Sequence, residues 1–168
     1  MIDGLATAFA IGLLFIVLPA VLLLLRDRVA TARRRRSRPA EEQSRKQRLL
    51  NPDWASVERC LGRPVPGALR DLYADAAFIT RRDMRWSDEC AISSFEPLDA
   101  QAMAAAKEWL GFAAVAIATT DLGDTVYLRC GASERDTVYL THHDGGDTAT
   151  FAESVALMHA TLTMANLR

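Results

Sequence analysis

Residues 116–128 read Ala116-Ile117-Ala118-Thr119-Thr120-Asp121-Leu122-Gly123-Asp124-Thr125-Val126-Tyr127-Leu128. Two runs rich in β-branched and apolar residues flank a segment of turn formers, which predicts two strands joined by a tight turn. The pattern continues outward. Phe112 to Thr119, Thr125 to Arg129 and Thr137 to Thr141 are strand-like, joined through Asp121-Leu122-Gly123-Asp124 and through Gly131 to Asp136. An antiparallel meander is the natural pairing. Upstream, Ala77-Phe78-Ile79-Thr80 and Cys90-Ala91-Ile92-Ser93-Ser94-Phe95 read as further strands around a charged loop that holds Trp86.

Helical segments frame these strands. Asn51-Pro52 offers a cap followed by proline, after which Trp54, Val57 and Leu61 recur at helical spacing and Gly62 can end the helix. A second short helix over Gly67 to Asp75 turns Leu69, Leu72 and Tyr73 inward. Pro97 to Leu110 is alanine-rich and helical, with Asp99 near its cap and Gly111 at its end. A closing helix runs from Thr150 or Phe151 to about Leu162, with Phe151, Val155, Met158 and Leu162 on one face. The order predicts an α+β domain over residues 51–168, helices packed on a mostly antiparallel sheet.

The N-terminal part has a different character. Leu5 to Leu25 carries no charged residue and runs into Arg26, Arg28, Arg33, Arg34, Arg35, Arg36 and Arg38. Its length matches the ~20 apolar residues that cross a bilayer, so a single transmembrane helix is expected to precede the domain. Residues 1–4 would form a short outer terminus. Residues 26–50 would be a basic juxtamembrane segment followed by a polar linker or solvated helical stalk. With the arginines after the span, the domain is expected in the cytoplasm at the inner membrane, the arginines near anionic lipid.

Formal net charge is −1, from 20 Lys and Arg against 21 Asp and Glu. Because the arginine cluster precedes the domain, the domain itself is distinctly acidic. Asp121, Asp124, Glu134, Asp136, Asp144, Asp147 and Glu153 face only Arg129 and Arg135 in the same stretch. That sign disfavours a nucleic-acid target; a basic partner, or none, fits better. Asp121, Asp124, Asp144 and Asp147 are the candidate partner-binding residues.

No catalytic, metal-ligating or cofactor-binding set is expected. His142 and His143 are adjacent, and neighbours on a strand point to opposite faces, so one shared ion is not expected. Asp121 and Asp124 read as turn residues bonding nearby backbone amides. Ser93, Ser94 and Cys90 have no nucleophile elbow around them, and no glycine-rich phosphate loop is present. Cys60, Cys90 and Cys130 lack metal-ligand spacing; in a cytoplasmic domain they are expected to stay reduced and act as small buried hydrophobes.

From Asn51 to about Leu162 the chain resembles the SUKH superfamily. The resemblance rests on Trp54 and Val57-Glu58-x-x-Leu61-Gly62, then Pro66-x-x-Leu69-x-x-Leu72-Tyr73. It continues through the Ala116–Leu128 hairpin, Val138-Tyr139-Leu140-Thr141-His142-His143-Asp144 and the segment Ala149-Thr150-Phe151-Ala152-Glu153-Ser154. Ala74-Asp75-Ala76-Ala77 departs from the polar, glycine-containing turn usual after the second helix. The resemblance implies a non-enzymatic module, as in bacterial immunity proteins that bind and neutralise a toxin. The expectation is therefore a membrane-tethered immunity module acting by protein–protein occlusion. A membrane-anchored scaffold for cell-wall assembly is the alternative, and a hydrolase built on His142, His143 and Asp144 a more distant one.

Overall fold

The computed structural model describes residues 39–131, 136–144 and 147–166. The chain forms two compact units, Met1–Ser44 and Arg45–Arg168. Of the first, the described residues 39–44 are helical. All that follows concerns the second.

Its centre is a six-stranded sheet whose order, β1-β2-β3-β4-β5-β6, is the order in the chain. The strands are β1 Met84–Arg85, β2 Ala91–Phe95, β3 Ala114–Thr120, β4 Thr125–Arg129, β5 Val138–Thr141 and β6 Thr148–Ala152. Every neighbouring pair is antiparallel. The helices are α1 (residues 45–50 of this unit), α2 Trp54–Leu61, α3 Gly67–Ala74, α4 Ala76–Ile79, α5 Ala100–Leu110 and α6 Val155–Ala165.

Alternation along the strands sends Val115, Ile117, Val126, Leu128, Val138 and Leu140 to one face of the sheet, where they meet Val57, Leu61, Leu69, Leu72, Val155, Met158 and Leu162 from α2, α3 and α6. Burial of each such side chain contributes about 1.5–3 kcal/mol, so this layer is the main source of stability. Tyr73 adds a polar tie. Its buried hydroxyl lies 2.7 Å from the Glu96 carbonyl oxygen and 3.1 Å from that of Ile117, and burial, reinforced by the charge of Glu96, raises its pKa so that it stays a donor. Tyr73→Phe is expected to cost about 1 kcal/mol in a urea titration.

The helix ends obey local rules. Asp53, rather than Asn51, caps α2: its side chain accepts from the Ser56 N–H at 3.1 Å. Gly62 ends α2 at φ 67°, a left-handed conformation that glycine adopts without the Cβ clash. Asp99 caps α5 by accepting from the Ala102 N–H, and Gly111 terminates it, as expected.

Several expectations are corrected. No helix among the described residues is long and apolar enough to cross a membrane, so the fold class that the described residues carry is α+β alone, helices packed on an antiparallel sheet. The expected span Leu5–Leu25 and the arginines Arg26, Arg28, Arg33, Arg34, Arg35, Arg36 and Arg38 lie outside the described residues. Ala77–Thr80 is not a strand. Asp75 accepts from the Phe78 N–H at 3.0 Å and so starts the short helix α4. Thr150 and Phe151 are strand, not helix: Thr148, Ala149 and Thr150 pair with Thr141, Leu140 and Tyr139. The closing helix waits for Ser154, whose hydroxyl accepts from the Leu157 N–H.

Two edge features were not foreseen. Asn166 closes the outer side of β1, accepting from the Arg85 N–H at 3.1 Å and donating to the Arg85 carbonyl at 3.0 Å. Trp86, just after β1, stacks on Phe151 of β6 at 4.2 Å between ring centroids. The sheet therefore curls until its first and last strands approach. The polar segment before residue 51 also joins the domain. Leu49 is buried, Arg48 grips Asp99 with two bonds of 2.6 and 3.0 Å, and Arg45 reaches the Phe95 carbonyl at 2.8 Å.

The cysteine expectation changes most. Cys60 near the end of α2 and Cys130 just after β4 form a disulfide across a sequence separation of 70, with Cα atoms 5.3 Å apart. The neighbouring Gly131 N–H donates to the Leu61 carbonyl at 3.2 Å, which fixes the two segments side by side. Arg63 and Asp136 form an ion pair that joins the residues following α2 to those preceding β5. Cys90 alone is free.

Candidate functional site

The β3–β4 hairpin turns tightly through Asp121–Asp124. Gly123 takes φ +88°, and a Cβ there would sit 3.6 Å from the His143 ring. Thr120 holds the turn from both sides: its N–H donates to the Asp124 carbonyl at 2.9 Å and its hydroxyl accepts from the Asp124 N–H at 3.0 Å. Asp121 ties the turn to β2 reciprocally. Its N–H donates to the Ala91 carbonyl at 2.9 Å, and its carboxylate accepts from the Ala91 N–H at 3.0 Å.

The register Thr125↔Thr141 carries Asp124 to a position opposite His142. The chain has left β5 by then, so the alternation that would send neighbouring side chains to opposite faces no longer applies. Both imidazoles turn to one carboxylate. His142 Nδ1 lies 3.2 Å from Asp124 Oδ2, and His143 Nδ1 lies 3.2 Å from Oδ1. The His143 backbone N–H donates to the same Oδ1 at 3.0 Å. The Asp124 side chain is 4 % exposed, while those of His142 and His143 are 50 % and 59 % exposed. A buried carboxylate thus orients two outward-facing rings. Burial alone would raise the Asp124 pKa; the bonds from the His143 N–H and ring, with the nearby His142, outweigh it and hold the carboxyl below its ordinary range.

The predicted partner-binding residues therefore divide. Asp124 is enclosed and acts through the histidines rather than by contact. Asp121 is exposed, though its carboxylate also serves the turn. Asp144 and Asp147 are exposed on the β5–β6 connection that also carries His142 and His143. Leu122, 58 % exposed, stands at the tip of the β3–β4 turn, next to Gly123, whose Cβ position lies 3.6 Å from the His143 ring. Its prominence was not read from the sequence, although a leucine inside an Asp-x-Gly-Asp turn is itself a signal, because turn tips face water.

The remaining candidates for chemistry lie elsewhere or are engaged. The Ser93 hydroxyl is held by the Thr119 and Thr120 carbonyls. Partial burial, then the charges of Asp121 and Asp124, raise the Cys90 pKa and keep the thiol protonated, a weak nucleophile. His159 sits on α6 with its ring 4.9 Å from Phe78, away from the other two. Among the described residues no group of three or more His, Cys, Asp or Glu is placed to hold a metal ion.

The far end of the β3–β4 hairpin, roughly 20 Å away at about 3.3 Å per residue, carries an open cleft of about 320 Å³. It lies between α2, α5 and the start of β3, with Cys60, Met103, Ala104, Ala113 and Ala114 along its walls and Arg59 and Lys107 also lining it. Comparison of the chain with family models, with curated proteins and with solved structures gave no match.

Proposed function

We propose that the domain is a non-enzymatic protein-binding module of the immunity type, which neutralises a basic toxin domain by covering its surface. The observation that supports this most is the corner formed by Leu122, His142 and His143. A buried Asp124 is committed to orienting two exposed rings, and an exposed leucine directly precedes Gly123, the turn residue that packs near the His143 ring. Order spent on side chains that face outward suits recognition, in which a few rigid apolar or aromatic anchors carry most of the affinity. Asp121, Asp144 and Asp147 are exposed on the same two connections, β3–β4 and β5–β6, that carry those anchors. Their charge would speed encounter with a basic partner and select its orientation more than add affinity. The sequence resemblance to SUKH immunity domains points the same way.

The test is affinity capture on the immobilised full chain, followed by titration of the captured protein. Asp144→Lys with Asp147→Lys should slow association by about tenfold at low salt and leave dissociation nearly unchanged. Unchanged association, or a captured partner with an acidic binding surface, would remove the basic-toxin reading.

A further inference from the structure

The Cys60–Cys130 bond and the cleft beside α2 belong together. Both cysteines are half-buried, but Cys60 lines the cleft whereas Cys130 is not among the lining residues. The walls are apolar and small: Ala100, Met103, Ala104, Ala113 and Ala114 leave space that larger side chains would fill. Two cations flank this floor, Arg59 from α2 and Lys107 from α5; both are exposed, and neither forms an ion pair among the described residues. An apolar slot with a cationic border and one cysteine of a disulfide along its wall is complementary to a small anionic molecule that carries a thiol.

From this we infer that the cleft is a docking site for an anionic low-molecular-weight thiol, which opens the Cys60–Cys130 bond by exchange. The bound thiolate attacks Cys60 Sγ. A new sulfur–sulfur bond forms between ligand and Cys60 as the Cys60–Cys130 bond breaks, and Cys130 leaves as a thiolate that takes a proton from water. A second molecule of the same thiol then attacks the ligand sulfur of the mixed disulfide. The products are the oxidised, disulfide-linked ligand and a Cys60 thiolate, so two thiols have supplied the two electrons that reduce the protein. Arg59 and Lys107 raise the local concentration of the anion and steady the charge that passes through the site. Release of the bond leaves α2 tied to the end of β4 by the Gly131–Leu61 hydrogen bond without the covalent link, while the Leu122 corner lies at the other end of the hairpin.

The oxidised full chain is mixed with reduced glutathione, which is anionic, or with cysteamine, which is cationic, at matched thiolate concentration. Exchange is stopped by alkylation and the adduct located by mass spectrometry. Glutathione should react about tenfold faster than cysteamine, with the trapped adduct on Cys60. Arg59→Gln with Lys107→Gln should abolish that preference without slowing cysteamine. An adduct chiefly on Cys130, equal rates for the two thiols, a preference that survives both substitutions, or three free thiols in the air-oxidised chain would each overturn the inference. Partner capture through Leu122 is read separately, so failure here leaves the binding proposal standing.

Discussion

Replacing Cys60 and Cys130 together by alanine is expected to lower the unfolding free energy by about 2–4 kcal/mol. The bond closes a loop across a sequence separation of 70, and in the chain-entropy account a cross-link of that span removes many conformations from the unfolded ensemble. For a domain of this size the loss corresponds to a fall in Tm of roughly 10 °C. Urea titration separates the causes. Loss of the cross-link should lower the midpoint and steepen the transition, since the unfolded chain then exposes more surface. Added reductant should reproduce the effect in the unmodified protein and do nothing to the alanine variant. An unchanged midpoint in both experiments would mean that the two segments are held without the bond, by the Gly131–Leu61 hydrogen bond and the Arg63–Asp136 pair.

The second large effect is expected at Asp124. Its carboxylate is almost wholly enclosed and is bonded to the His143 N–H and to both imidazoles. Asp124→Ala should cost about 2–3 kcal/mol, the scale of a hydrogen-bonded charged group, and should release both rings. Its pH dependence has a definite sign. The folded carboxyl has a depressed pKa, so its stabilising contribution is complete above the ordinary carboxylate range and disappears as pH falls through the folded value. The difference between wild type and Asp124→Ala should therefore be largest near about pH 7 and shrink toward about pH 3. Asp99 contributes in the same direction: burial pushes its pKa up, but hydrogen bonds from Arg48 and the Ala102 N–H prevail and lower it. Some acid sensitivity will thus persist in the Asp124 variant. A difference that grows on acidification would refute the enclosed-carboxylate account.

The meander was legible because its signals are local. The runs around Ala116–Leu128 are rich in apolar and β-branched residues, and Asp121–Asp124 and Gly62 mark a turn and a helix end by their own chemistry. The misreadings have a common physical origin. Ala77–Thr80 is apolar and β-branched enough to suggest a strand, yet the Asp75 cap and burial of Ile79 hold it as a short helix. Thr150-Phe151 fits helical periodicity with Val155 and Met158, but pairing with β5 and the stack on Trp86 extend it as an edge strand. Cys60 and Cys130 are far apart in the sequence, and only the packing of α2 beside the end of β4 joins them. At the corner, the residue types of Asp124, His142 and His143 were visible. Their convergence was not, because it depends on β5 ending at Thr141 and on cross-strand register.

The central claim, that the corner around Leu122 binds a protein partner, is tested most directly by titrating the captured partner against wild type and Leu122→Asp. Leu122 is exposed at a turn tip, so the substitution should leave Tm unchanged while weakening Kd by at least about 30-fold, the effect of removing an anchor worth about 2 kcal/mol. A partner that binds both forms with equal Kd would contradict the account.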